Sequence, residues 1–147
     1  MFQRVRAWIP AAVWMAVIFL FSTDLFAASN TGSWVREMVS RWFPSLSEAW
    51  VSGLHHALRK SAHVFAYGVL SACYSFALSG GERLCRPNRR RAVAAVGLSI
   101  LYACTDEWHQ SFVPGRTPDL RDIVADGSGA ALALGAAWAW SIIKRPS

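Results

Sequence analysis

Charge is scarce in this chain: Asp, Glu, Lys and Arg make up 16% of its 147 residues, against 54% hydrophobic. Cysteine is scarce as well. The three cysteines are scattered, Cys73 and Cys104 inside apolar segments and Cys85 in a basic loop. That excludes a disulfide framework, and a buried cysteine packs as a small hydrophobe. No face interleaves basic with aromatic residues, so the formal charge of +6 does not point to nucleic acid; the arginines flank apolar runs instead. No internal repeat or low-complexity segment breaks what the length sets as one domain, residues 1–147. Against these lacks stand eight tryptophans, heavy for a soluble domain of this size and suited to lining two membrane–water interfaces. The composition reads as an integral membrane protein.

A helix that crosses a bilayer needs roughly 20 largely apolar residues, about 17 at the least. Four segments qualify or come close, at about residues 7–26, 61–78, 92–108 and 123–143. The third has a short apolar core from Ala92 to Thr105, and it crosses only if its polar end near Asp106 lies at or inside the interface. Basic residues orient the bundle. Arg4 and Arg6 precede the first span, Arg83, Arg86, Arg89, Arg90 and Arg91 fill the loop between the second and third, and Lys144 and Arg145 follow the fourth. The positive-inside rule puts all three groups in the cytoplasm, which an even number of spans with both termini inside satisfies. A cleaved signal peptide is the rival reading of the N-terminus, with Phe26-Ala27-Ala28-Ser29 as its cleavage region. Asp24 interrupts the approach to that site and the apolar run is long for a signal, so a span is expected.

The connection between the first two spans carries helical periodicity of its own. Trp34, Val35, Met38, Val39, Trp42 and Phe43 recur at helical spacing, with Arg36, Glu37, Ser40 and Arg41 opposite, and Pro44 follows. Ser45-Leu46-Ser47-Glu48 has the form of a capping box opening a second helix with Trp50, Val51, Leu54 and Leu58. Two outer helices are expected, at about residues 33–43 and 46–58, either lying in the interface or packed as a small cap on the bundle. The predicted fold is thus an all-α four-transmembrane-helix bundle with one or two amphipathic interfacial helices between spans one and two.

In this topology the notable polar groups gather at the outer side. Ser22, Thr23 and Asp24 end the first span; Arg59, Lys60 and His63 open the second; Asp106 to Gln110 end the third; Arg116 to Asp126 lead into the fourth. Helical spacing sorts them into faces: Lys60, His63 and Tyr67 share one, Tyr102, Asp106 and His109 another, and Asp122 and Asp126 lie one turn apart with Gly129 continuing their stripe. Pro114-Gly115-Arg116 reads as a turn. Ionisable groups inside a membrane are functional suspects by default.

The strings Arg59-Lys60-Ser-Ala-His63-Val-Phe-Ala-Tyr67, Tyr102-x3-Asp106-Glu107-x-His109-Gln110-x-Phe112-x-Pro114-Gly115-Arg116 and Asp122-x3-Asp126-x2-Gly129-Ala130 resemble the VanZ-like family, small bacterial membrane proteins named for teicoplanin resistance. Phe19-x-Phe21-Ser22 also resembles the family's end of span one, so the resemblance covers nearly the whole chain. It implies a multi-pass protein of the bacterial cytoplasmic (inner) membrane that lowers susceptibility to lipoglycopeptides such as teicoplanin. One position departs from the pattern: Asp126 stands where the family usually has asparagine, which adds a charge to the span.

Two classes of function fit these residues. As a binding protein, the chain holds an anionic envelope lipid or the glycopeptide through Lys60, Arg116 and Arg121, since guanidinium forks match phosphate and carboxylate bidentately. His63, Tyr67, Gln110, Asp122 and Asp126 complete that ligand-binding set. As an enzyme, it modifies or hydrolyses an envelope lipid, with Asp106 or Glu107 as base and His109 as acid. The bland counterpart is a satisfied polar network: five acids (Asp106, Glu107, Asp119, Asp122, Asp126) face two arginines (Arg116, Arg121) between residues 106 and 126, so internal pairing is expected. Asp106, His109 and His63 offer donors to a divalent metal, but Asp-Glu-x-His is no recognised ligand spacing, so no metal residue is assigned and the cofactor stays open. A transporter is a third option, weakened by the absence of an inverted repeat. Membrane lipids are the expected partners, and oligomeric state is left open.

Overall fold

The computed structural model describes residues 2–23, 28–82, 88–114 and 116–143. Asp24, Arg83, Cys85, Arg86, Gly115, Lys144 and Arg145, on which parts of the expected topology rest, lie outside them. The described residues form helices α1 (Phe2–Arg6), α2 (Ile9–Phe21), α3 (Ala28–Trp42), α4 (Glu48–Leu78), α5 (Arg89–Gln110) and α6 (Leu120–Ile143), with no strand among them. α1 and α2 are separated by a single turn at Ala7–Trp8. Pro10 sits in the first turn of α2, where its missing N–H costs nothing. Together Phe2–Phe21, with Glu48–Leu78 and Leu120–Ile143, are long and apolar enough to cross a membrane.

The third expected span, at residues 92–108, does not join that group. α5 has 22 residues, about 33 Å at 1.5 Å per residue. Its ends carry Arg89–Arg91 and Asp106–Glu107, and they lower its mean hydropathy. It begins earlier than expected because Asn88 caps it, its Oδ1 accepting from the Arg90 and Arg91 amides at 3.0 and 3.2 Å.

The outer connection also differs from expectation. The helix expected at 33–43 is α3, which starts earlier, at Ala28. The helix expected at 46–58 and the span expected at 61–78 are one continuous 31-residue helix, α4. No Gly or Pro lies between Leu54 and Tyr67, so nothing interrupts the backbone ladder where Arg59 and Lys60 carry the chain on. The cap is Ser47 rather than Ser45: its Oγ accepts from the Trp50 amide at 3.4 Å. α4 spans about 46 Å, more than a hydrocarbon core of about 30 Å, so its first turns project beyond the apolar part. At its other end Gly80 and Gly81 take φ of 76° and 91°, and the Gly81 amide bonds to the Phe76 carbonyl at 3.1 Å. This left-handed stop suits glycine alone.

α4, α5 and α6 pack together, and α2 lies against α4. The core contains Ala11, Ile18, Tyr67, Leu70, Tyr74, Ala95, Ala103 and Leu134. Its small residues let backbones approach closely, and interhelical hydrogen bonds add to that packing. The Trp14 indole donates to the Ala66 carbonyl at 2.8 Å, the Tyr102 hydroxyl to the Met15 carbonyl at 2.7 Å, and the Ser71 hydroxyl to the Ala130 carbonyl at 3.0 Å. Cys73, half-buried, and Cys104, exposed, are free thiols.

Candidate functional site

The polar residues converge at one end of the bundle, and helix periodicity explains how. On α4, Lys60, His63 and Tyr67 follow one face, which turns to α6. Lys60 forms an ion pair with Asp122, and His63 Nδ1 lies 3.1 Å from Asp126 Oδ1. Asp122 falls in the first turn of α6, where the helix dipole favours an anion. Gly129, one turn beyond Asp126, admits the α4 backbone at Val64: a Cβ built there stands 2.8 Å from the Val64 Cα. That close approach brings the His63 and Asp126 side chains within reach of each other.

On α5, Tyr102, Asp106 and His109 form the face toward α2. Tyr102 bonds to Met15, and the His109 ring stacks on Phe19 with centroids 4.4 Å apart. Asp106 is buried and accepts from Gln110 Nε2 through Oδ2 at 2.9 Å. Glu107 is also buried, but its Oε2 accepts the Asp119 amide at 2.8 Å, so this carboxylate holds the loop leading into α6. Asp119 in turn caps α6 by accepting the Arg121 amide at 2.9 Å.

Arg116 reaches across to the end of α2. Its Nη2 donates to the Phe21 carbonyl at 2.6 Å and the Thr23 carbonyl at 3.2 Å, satisfying carbonyls that a helix end leaves without partners. Burial first, and then the charge of Arg59, push its guanidinium below the ordinary arginine value. A desolvated cation beside a second cation is a setting that an anion relieves.

Two cavities meet here. One, of about 310 Å³, is lined by Trp14, Val17, Ile18, Phe21, Ser22, Arg59, Ala62, His63, Phe65, Ala66, Tyr67, Asp106 and Arg116. Its walls are apolar except for a polar end. The second, of about 140 Å³, is lined by His56, Arg59, Lys60, His63, Arg116, Thr117, Asp119 and Asp122. Arg59, His63 and Arg116 line both. Among the residues that line the cavities, the Tyr67 hydroxyl, Asp106 Oδ1 and Arg116 Nε are buried with no hydrogen-bond partner among the described residues; Glu107 Oε1, His109 Nδ1 and Asp126 Oδ2 are likewise without one but line neither cavity. Unsatisfied groups at this density mark a place for bound water or ligand.

Of the expected catalytic trio, Asp106 lines the apolar cavity. Glu107 turns to the Asp119 loop and His109 to Phe19. Of the expected ligand-binding set, Lys60, His63, Tyr67, Arg116 and Asp122 line the two cavities. Gln110 supports Asp106 and Asp126 supports His63, while Arg121 is exposed and lines neither. Arg59, expected among the converging polar groups but given no place in the ligand-binding set, lines both cavities. Its i, i+4, i+8 register with His63 and Tyr67 is the signal that singles it out. Among the described residues no three His, Cys, Asp or Glu side chains are grouped to hold a metal ion.

The family model described as VanZ/LLP1 matches residues 7–143. No curated protein and no solved structure matches the chain significantly. With nearly its whole length matched, the chain belongs to the VanZ/LLP1 family.

Proposed function

Proceeding from that membership, we propose that this VanZ/LLP1 protein is a four-span protein of the bacterial inner membrane that binds an anionic envelope lipid in an outward-facing pocket. The observation that carries the reading is the pair of adjoining cavities, one apolar and one cationic, sharing Arg59, His63 and Arg116. An acyl chain suits the first and a phosphate or carboxylate headgroup the second. The guanidiniums supply the charge-assisted hydrogen bonds such a headgroup takes. A volume of about 310 Å³ is at the small end of ligand sites, which run to about 1,000 Å³. This favours a lipid chain over a whole glycopeptide, and lowered teicoplanin susceptibility then follows from the lipid that the protein withholds or presents.

α5 is the fourth span in this reading. It exposes Val93, Leu101 and Trp108 while burying Ser99, Asp106, Glu107 and Gln110. Apolar outside and polar inside is the arrangement of a helix among lipids. Arg4 lies beside Gly80, at the end of the bundle that also receives Arg89–Arg91, and the positive-inside rule makes that end cytoplasmic with both termini. On the outer side, α3 and the first turns of α4 leave Trp34, Met38, Trp42 and Trp50 between 65% and 77% exposed. They suit the headgroup layer.

Native mass spectrometry of the purified protein with phosphatidylglycerol and phosphatidylcholine tests the binding. The anionic lipid is expected to be retained preferentially and lost on Arg59→Ala. Equal retention of both lipids by wild type and variant contradicts the reading.

A further inference from the structure

We propose that the junction of the two cavities is a hydrolytic centre in which His63, oriented by Asp126, activates water against the ester that joins the acyl chain of an anionic lipid to its headgroup. The proposal rests on the lipid-binding reading and goes beyond it. His63 Nδ1 is engaged by Asp126 Oδ1 at 3.1 Å, and the Asp126 side chain is 1% exposed. A carboxylate in that position fixes the tautomer with the proton on Nδ1 and leaves the Nε2 lone pair for a general base. Nε2 has no protein partner among the described residues, and His63 lines both cavities. A lipid with its chain in the apolar cavity and its anion in the cationic one carries its ester linkage past this residue. The linkage is the part of the molecule that lies between tail and headgroup.

The step balances with water alone. Nε2 takes a proton from water as the water oxygen bonds to the ester carbonyl carbon, and the carbonyl electron pair moves to oxygen. The guanidiniums of Arg59 and Arg116 stand at the junction to stabilise that oxyanion. Collapse breaks the bond to the alkoxy oxygen, which takes the proton from the imidazolium. A fatty acid and a free headgroup alcohol leave. The Tyr67 hydroxyl and Asp106 Oδ1, buried without partners and facing the same cavity, are placed to hold the water. Asp126 is a positioning residue here.

The test uses the full chain in detergent micelles with oleoyl lysophosphatidic acid in ¹⁸O-water, followed by mass spectrometry of released oleate and native mass spectrometry of retained lipid. Wild type is expected to release oleate bearing one ¹⁸O. His63→Gln is expected to lose about 100-fold or more in kcat, the contribution of a general base. Asp126→Asn keeps a hydrogen bond to Nδ1 but no charge, and is expected to lower kcat with KM unchanged, which a merely loosened bundle does not do. Both variants are expected to retain the lipid, which shows that they fold. Lipid retained by wild type with no oleate released overturns the hydrolytic centre and leaves the binding reading standing. Release that persists in His63→Gln overturns the assignment of the base. Failure of wild type either to retain the lipid or to release oleate from it overturns both readings.

Discussion

Gly129 and the residues around it show how much of the site depends on single side chains. A methyl group at Gly129 meets the Val64 backbone, 2.8 Å from its Cα, whereas one at Gly68 meets the Ala133 Cβ and the Gly129 carbonyl oxygen, each at 3.4 Å, the edge of ordinary contact. Backbone cannot swing aside as a side chain does, so Gly129→Ala must part α4 from α6 and with them His63 from Asp126. It is expected to destabilise the protein by about 1–3 kcal/mol and Gly68→Ala by well under about 1 kcal/mol, as measured by thermal unfolding in detergent. The Lys60–Asp122 pair allows a second prediction. Both side chains are largely buried, at 29% and 13% exposure, so removing the cation strands a carboxylate. Lys60→Met is expected to cost about 2 kcal/mol, discounted for partial solvation, and Lys60→Met with Asp122→Leu to recover most of it. Which residues gather was legible from helical spacing: the stripes of Lys60, His63 and Tyr67 and of Asp122, Asp126 and Gly129 meet face to face. What each partner does was not. Glu107 and His109 read as chemistry because acids beside histidine suggest it, and only the fold shows one tying down a loop and the other stacked on Phe19.

At the scale of elements, α4 is the scaffold. Its unbroken course from Glu48 to Leu78 carries Arg59, Lys60, His63 and Tyr67 on one rigid rod, so the headgroup side and the apolar side of the pocket move together. Continuity was hidden in the sequence because hydrophobic periodicity marks where apolar faces begin and end, and α4 changes its surroundings without changing its backbone. The candidate spans at Phe2–Phe21 and in α6 announce themselves by length and hydropathy together. α5 is long enough at 22 residues, but its charged groups lower its hydropathy, and hydropathy cannot tell an inward carboxylate from an exposed one. A helix breaker within α4 separates these roles. Ser61→Pro removes an amide from the ladder and is expected to cost about 3 kcal/mol or more and to abolish lipid retention. The same substitution at Ser52, outside the pocket, is expected to leave retention in place. Native mass spectrometry of the two variants distinguishes them.

Across the whole molecule, charge is laid out along the bundle axis. Arg4 and Arg89–Arg91 lie at the end with Gly80, Gly81 and Asn88, and the ionisable cluster, with Arg59 and Arg116 in it, sits at the other. Tryptophans on α3 and α4 surround the cluster side. If that side faces outward, a cysteine placed at Ser45 in a chain cleared of Cys73, Cys85 and Cys104 is expected to react with a membrane-impermeant maleimide in intact cells, whereas one at Ser79 reacts only after lysis. The position of a bound lipid chain decides whether the pocket is a lipid site. A lysophospholipid with a photoactivatable group in its acyl chain, cross-linked to the protein in membranes and mapped by peptide mass spectrometry, reports that location. Labels on Trp14, Val17, Phe65 and Ala66, the walls of the apolar cavity, and their loss in Arg59→Ala are the predicted result. Labels confined to outward residues such as Val124, Leu132 and Trp140, unchanged by the substitution, would mean that the pocket holds no lipid and that the central claim is wrong.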